Sequence, residues 1–254
     1  MAKRRHSKRR RRGGFFYKLL SVLVICGAIL LAVTLFFRVN TIEVSGQQRY
    51  SAEEIREASG VAAGDNLYLL NKYDVANRIV QALPYIESIH PYRKLPDTLV
   101  IEVKECGKPM AVIQDEGAWL VSAQGKIVAR ITEAEAAEYG VISGCELLAP
   151  SVGTPIALAT EYVSQQTSLI QLLTALEDAG LTEEVRGVRL DDLSYLQMDY
   201  TDRFTVRIAY GADYAWELQR LIKSLEKDVI QSNMTGVFDL QLDTERVYFI
   251  PDLR

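Results

Sequence analysis

Residues 19–37 read LLSVLVICGAILLAVTLFF, nineteen positions without a charge and with only Ser21 and Thr34 as polar side chains. As a helix this run would be about 28 Å long, close to the hydrocarbon thickness of a bilayer. Phe15, Phe16, Tyr17 and Lys18 precede it, and Phe36, Phe37 and Arg38 bound its other end, as interfacial anchors do. The run exceeds the hydrophobic region of a cleaved signal, and bulky residues follow it where small ones would mark cleavage. The expectation is a membrane anchor. No second apolar run of this length exists in the sequence, which predicts a single pass.

Charge divides the chain at the same place. Residues 1–18 carry nine Lys and Arg and no acid, whereas the rest carries 20 basic and 33 acidic residues, a net −13. Positive residues flanking a span stay on the cytoplasmic side. The reading is therefore a basic cytoplasmic tail, a transmembrane helix at 19–37, and an acidic extracytoplasmic body. The tail lacks interleaved aromatics, so it is read as a topology determinant touching anionic lipid rather than as a nucleic-acid binder. Cys26 is a small apolar filler within the run.

Beyond the span the periodicity changes. Residues 39–44 alternate as a strand. Ser51 and Glu54 match a capping box, Tyr50 and Ile55 a hydrophobic staple, and Gly60 a left-handed C-cap. Asn71 caps a second helix with Val75, Ile79 and Leu83 on one face, and Pro84 stops it. Residues 85–93 and 97–104 are two strands, with Pro91 expected on an edge or at a bulge because it offers no ladder donor. The order is β-α-α-β-β.

Short strands follow at 110–113, 119–122 and 126–130. A Gly/Pro/Ser-rich connection spans 144–156, and a helix spans 160–179. Strands are expected at 185–190, 194–199 and 203–210, then an amphipathic helix over 213–230 and closing strands at 237–242 and 246–250. The expected fold class is α+β: one transmembrane helix, a small β-α-α-β-β domain and a mixed, mostly antiparallel β domain with two or three helices. The limits are 1–18, 19–37, 38–106 and 107–254.

Catalytic signatures are missing. His6 lies in the tail, so His90 is the one histidine of the body. There is no Gly-x-Ser-x-Gly elbow, no His-Glu-x-x-His run and no phosphate-binding glycine loop. Cys106 and Cys145 with one histidine cannot complete a tetrahedral zinc site, and they read as two independent thiols more readily than as a disulfide. Neither a metal nor a cofactor is expected, and no catalytic residue is assigned. Glu102 and Glu105 read as a solvated strand end, and Asp239 as a structural hydrogen-bond acceptor in an apolar strand.

Several stretches, in order, resemble the bacterial FtsQ/DivIB cell division family across nearly the whole chain. They are Ile42-Glu43-Val44-Ser45-Gly46, Ser51-x-x-Glu54-Ile55 and Gly64-Asp65-Asn66-Leu67. Pro84-Tyr85-Ile86, the run Arg93-Lys94-Leu95-Pro96-Asp97-Thr98 through Val103, Pro109-Met110-Ala111 and residues 119–125 follow. Tyr210-Gly211 and residues 236–240 close the series. Glu105-Cys106-Gly107-Lys108-Pro109 departs from the family's Glu-Arg before proline.

The resemblance implies a POTRA-like first domain and a non-catalytic assembly protein of the division septum. It implies partners of the FtsL and DivIC (FtsB) single-span types and, through them, a bearing on the septal peptidoglycan synthase. It implies a partner-binding edge in the C-terminal block, where Val237, Asp239, Leu242, Tyr248 and Phe249 fall. Closure of the β-domain core is the competing role for Tyr248 and Phe249. An envelope transport or chaperone component with a POTRA module is the alternative reading.

Overall fold

In a computed structural model the described residues are 13–159, 162–226, 230–231, 233–241 and 246–252. Helix α1 (Gly13–Phe36) comes first. Within it Phe16–Thr34 is long and apolar enough to cross a membrane. The helix is 24 residues, about 36 Å, and beyond Lys18 it is apolar all round, with no soluble face to turn outward.

The chain leaves α1 directly into a small folded unit. Strand β1 (Thr41–Ser45), helices α2 (Ala52–Ser59) and α3 (Lys72–Ala82), and strands β2 (Ile86–Lys94) and β3 (Thr98–Glu105) realise the expected order. Ser51 and Glu54 make both halves of the capping box, and Gly60 takes the left-handed conformation at φ 63°. The Asn71 side chain accepts the Tyr73 amide at the start of α3.

The sheet order is β1-β3-β2, with β1 parallel and β2 antiparallel to β3. A parallel pair needs a crossover, and α2 and α3 supply it. Their apolar faces bury Ile55, Val75 and Ile79 against Ile86, Leu99, Ile101 and Val103. Pro91 falls on the edge strand β2, opposite Ile101. Gly46 sits at φ 86°, and a Cβ there would come within 2.1 Å of the Val103 carbonyl oxygen, so only glycine lets the chain turn out of β1 against the sheet.

The second unit is one nine-stranded sheet. Its strands are β4 (Met110–Gln114), β5 (Gly117–Val121), β6 (Ile127–Ile131), β7 (Val141–Ser143), β8 (Val185–Arg189), β9 (Tyr195–Tyr200), β10 (Phe204–Ala209), β11 (Gly236–Asp239) and β12 (Tyr248–Pro251). Their order is β12-β11-β10-β9-β8-β7-β4-β5-β6. Five pairings are antiparallel and three parallel, as a mostly antiparallel mixed sheet requires.

Helix α4 (Glu133–Ala136) precedes β7, and α5 (Val163–Asp178) and α6 (Tyr214–Leu225) cover one face of the sheet. Leu169, Leu172 and Leu176 of α5 and Leu218 and Leu221 of α6 pack there with Val188, Leu196, Met198, Val206, Ile208 and Phe238.

Strand β7 and helix α4 escaped the sequence reading. Strand β7 is three residues long, too short to show alternation, yet it joins β4 to β8 and makes two smaller sheets one. Helix α4 is a single turn fixed by a Thr132/Glu135 capping box. Other elements are shorter than expected: α6 ends at Leu225 rather than near 230, and β11 ends at Asp239 rather than at 242.

Polar contacts join the two units. The Lys126 ammonium donates to the Val80 and Ile86 carbonyls at 3.3 and 3.1 Å, and its burial lowers its pKa. Glu177 accepts the Gly107 amide and lies 4.0 Å from Lys104. Glu105 is not a solvated strand end: its carboxylate accepts the backbone amides of Arg49 and Tyr50 at 2.7 and 3.1 Å. Cys106 and Cys145 are free thiols, with burial raising their pKa to about 12 and about 11.

A candidate partner-binding edge

Two strands at the C-terminal end of the large sheet hold four of the five expected partner-binding residues, Val237, Asp239, Tyr248 and Phe249. Strand β11 lies between β10, its parallel neighbour, and β12, its antiparallel one. Strand β12 is the last in the order, so one of its sides has no strand partner among the described residues.

The direction of each backbone group follows from alternation. Gly236 and Leu240 donate their amides to Arg203 and Arg207, which aims the even positions of β11 at β10. The odd positions therefore face β12, and Asp252 donating to Thr235 at 3.0 Å continues that ladder. On β12 this pairs Tyr248 and Ile250 with β11 and leaves the amides of Val247 and Phe249 aimed away from the sheet. Pro251 has no amide and ends that row.

Side chains sort by the same period of two. Phe249 faces inward, its ring 4.8 Å from Phe238 and 6.1 Å from Phe204, so this aromatic ties β12 to the core. Tyr248 and Ile250 face the other way and are 41% and 53% exposed. Ile250 lies opposite Val237, and Tyr248 opposite Asp239. Asp239 is 6% exposed, and its carboxylate accepts the Gln241 amide at 3.0 Å, the acceptor role that its place in an apolar strand implies. Leu242 lies outside the described residues.

The outer row runs on across the sheet. Thr205 stands beside Val237 and Arg207 beside Asp239, with Asp199 and Gln197 next on β9. The Arg207 guanidinium lies 5.3 Å from the Tyr195 ring centre.

Two arginines, Arg220 of α6 and Arg203 just before β10, bond to the segments that lead into the edge strands. Arg220 donates to Glu217 at 2.7 Å and to the Arg246 carbonyl at 2.6 Å, with its guanidinium over Trp216. Burial raises the pKa of Glu217 against the opposing pull of Arg220. Arg203 donates to the carbonyls of Gln231 and Met234. Neither arginine was singled out in the sequence, because a side chain bonding to distant carbonyls leaves no spacing signal. Ile250 was also missed, although alternation about Phe249 was enough to find it.

Among the described residues, the outer side of β12 offers main-chain groups without a strand partner, an aromatic anchor beneath them and exposed Tyr248 and Ile250 beside them. That is the geometry for adding a strand, with alternate side chains giving specificity.

Comparison with known proteins bears on the whole chain. The FtsQ-type POTRA domain family matches residues 37–105, the segment that contains β1 to β3. The cell division protein FtsQ of Syntrophotalea carbinolica is 28% identical over 82% of this chain and 75% of its own length. The cell division protein DivIB of Clostridium botulinum is 24% identical over 85% of this chain and 82% of its own. FtsQ of Geotalea daltonii is 26% identical over 83% and 75%. These alignments extend far past the POTRA segment into the large sheet, so the chain carries an FtsQ-type POTRA domain and is similar to FtsQ and DivIB cell division proteins over more than four-fifths of its length.

Proposed function

We propose that this protein is a non-catalytic, membrane-anchored assembly protein of the division septum. In this reading the basic tail is cytoplasmic and touches anionic lipid, α1 spans the membrane once, and residues 38–254 lie outside the cytoplasm. The protein links septal proteins by binding single-span partners of the FtsL and DivIC (FtsB) types, and so supports septal peptidoglycan synthesis. It binds no nucleic acid.

The observation that carries this reading is the side of β12 that has no strand partner among the described residues, where the amides of Val247 and Phe249 point away from β11 beside exposed Tyr248 and Ile250. An extended partner segment would extend the sheet by one strand there, gaining main-chain hydrogen bonds and apolar contacts together.

The test is a pull-down of the full chain in detergent with FtsL-type and DivIC-type partners, wild type beside Tyr248→Glu and Ile250→Glu. Both side chains are largely exposed, so the variants should melt with the wild type. Binding should fall about tenfold or more. Undiminished binding by both folded variants would move the site off this edge.

A further inference from the structure

The exit of α1 is not a free linker. The Asn66 side-chain amide donates to the Val33 and Thr34 carbonyls of the last turn, at 3.2 and 3.4 Å. They belong to the last turn, where a helix end leaves carbonyls short of partners; the Val33 carbonyl also accepts the Phe37 amide, at 3.4 Å. Backbone bonds continue the connection: Leu67 amide to Phe37 carbonyl, Val39 amide to Asp65 carbonyl, and Gly64 amide to Val39 carbonyl, each 2.8 Å. The Phe37 and Tyr68 rings meet edge to face at 4.9 Å. Val39 is fully buried in the small unit's core.

The loop that makes these bonds is itself held. Arg93 of β2 donates to the carbonyls of Leu67, Tyr68 and Leu70. The Asp97 carbonyl accepts the amides of Asn40 and Thr41 at 2.9 and 3.3 Å. The Arg93–Asp97 hairpin and the Gly64–Leu70 loop therefore close on residues 37–41 as the two halves of a clasp.

The clasp and the adjoining first turn of α3 carry apolar side chains that the described residues leave exposed. Leu69 is 78% exposed, Tyr68 45% and Tyr73 81%. The Leu69 and Tyr68 amides both bond back to the Asn66 side chain, a tight turn that keeps Leu69 projecting outward.

We infer that this clasp is a lipid-docking surface: Tyr68, Leu69 and Tyr73 sit in the interfacial layer of the outer leaflet and seat the small domain on the membrane. The inference rests on the reading of α1 as a membrane span. A loop bonded to the last-turn carbonyls of a span lies within the interfacial layer, which is only about 5–7 Å deep on each side of the hydrocarbon. Tyrosines are favoured at that depth, and an exposed leucine gains by leaving water there. The membrane is thus the occupant that chain continuity brings to this patch.

The test uses the full chain in liposomes, with Cys26, Cys106 and Cys145 changed to Ala and a single environment-sensitive NBD label at Leu69→Cys. An identical label at Asp202→Cys, in the exposed β9–β10 turn, is the reference. Flotation reports whether the chain inserts. Expected is a blue-shifted label at 69, with quenching by a shallow spin-labelled lipid at least about threefold stronger than at 202. Adding Asn66→Ala to the chain labelled at 69 should reduce that difference, because the helix end is then released. A chain that floats with equal quenching at 69 and 202 overturns the docking inference while leaving the span intact. A chain that does not float overturns both.

Discussion

Glu87 brings a carboxylate into the junction between the two units. Its burial and the nearby Glu177 raise its pKa, outweighing Ser122, Lys104 and Gln124, which act the other way. A raised pKa in the folded state means that the folded chain holds this proton more tightly than the unfolded chain does. The stability it contributes is complete below the ordinary value of 4.5 and is lost as pH rises through the raised one. Glu87→Gln should therefore raise the melting temperature at pH 7 and leave it unchanged at pH 4. Melts of the two proteins at both pH values check this, and an equal shift at both would show that charge is not the cause. Residue roles of this kind were hidden in the sequence. Ser51, Glu54, Gly60 and Asn71 were legible because a cap is a short-range pattern. Arg93 and Glu105 act on carbonyls and amides more than twenty positions away, so only the folded chain reveals them.

Among the elements, β12 depends most on a single side chain. It is four residues long, pairs on one side and is attached to the core through Phe249. Phe249→Ala should cost about 2–3 kcal/mol, less than a fully buried phenylalanine because the ring is half-buried. The loss should concentrate locally: amide exchange at the β11-facing positions 248 and 250 should accelerate well before that of β9 and β10. Uniform acceleration across the sheet would show that β12 is not an independent element. The helices and longer strands were legible because eight or more residues of period, or a flanking glycine or proline, identified them. Strand β7 was not, because three residues carry no period and the neighbours that define it, β4 and β8, are far away in sequence.

At the scale of the molecule, the chain joins an apolar helix, an FtsQ-type POTRA domain and a nine-stranded sheet whose last strand is paired on one side among the described residues. The order of these parts was legible, since each has its own composition or period. The face that each residue takes at the edge was legible only in part. Tyr248 and Phe249 are sequence neighbours with opposite roles, one outward and one in the aromatic cluster. The central claim is that β12 receives a partner strand. The most direct measurement is hydrogen exchange of the full chain in nanodiscs, with and without FtsL-type and DivIC-type partners. A partner strand on β12 should slow exchange at the amides of Val247 and Phe249, which face away from β11, with little change at Tyr248 and Ile250, which are already paired. Protection confined to α2, α3 and β2, with Val247 and Phe249 still exchanging freely in the complex, would contradict it.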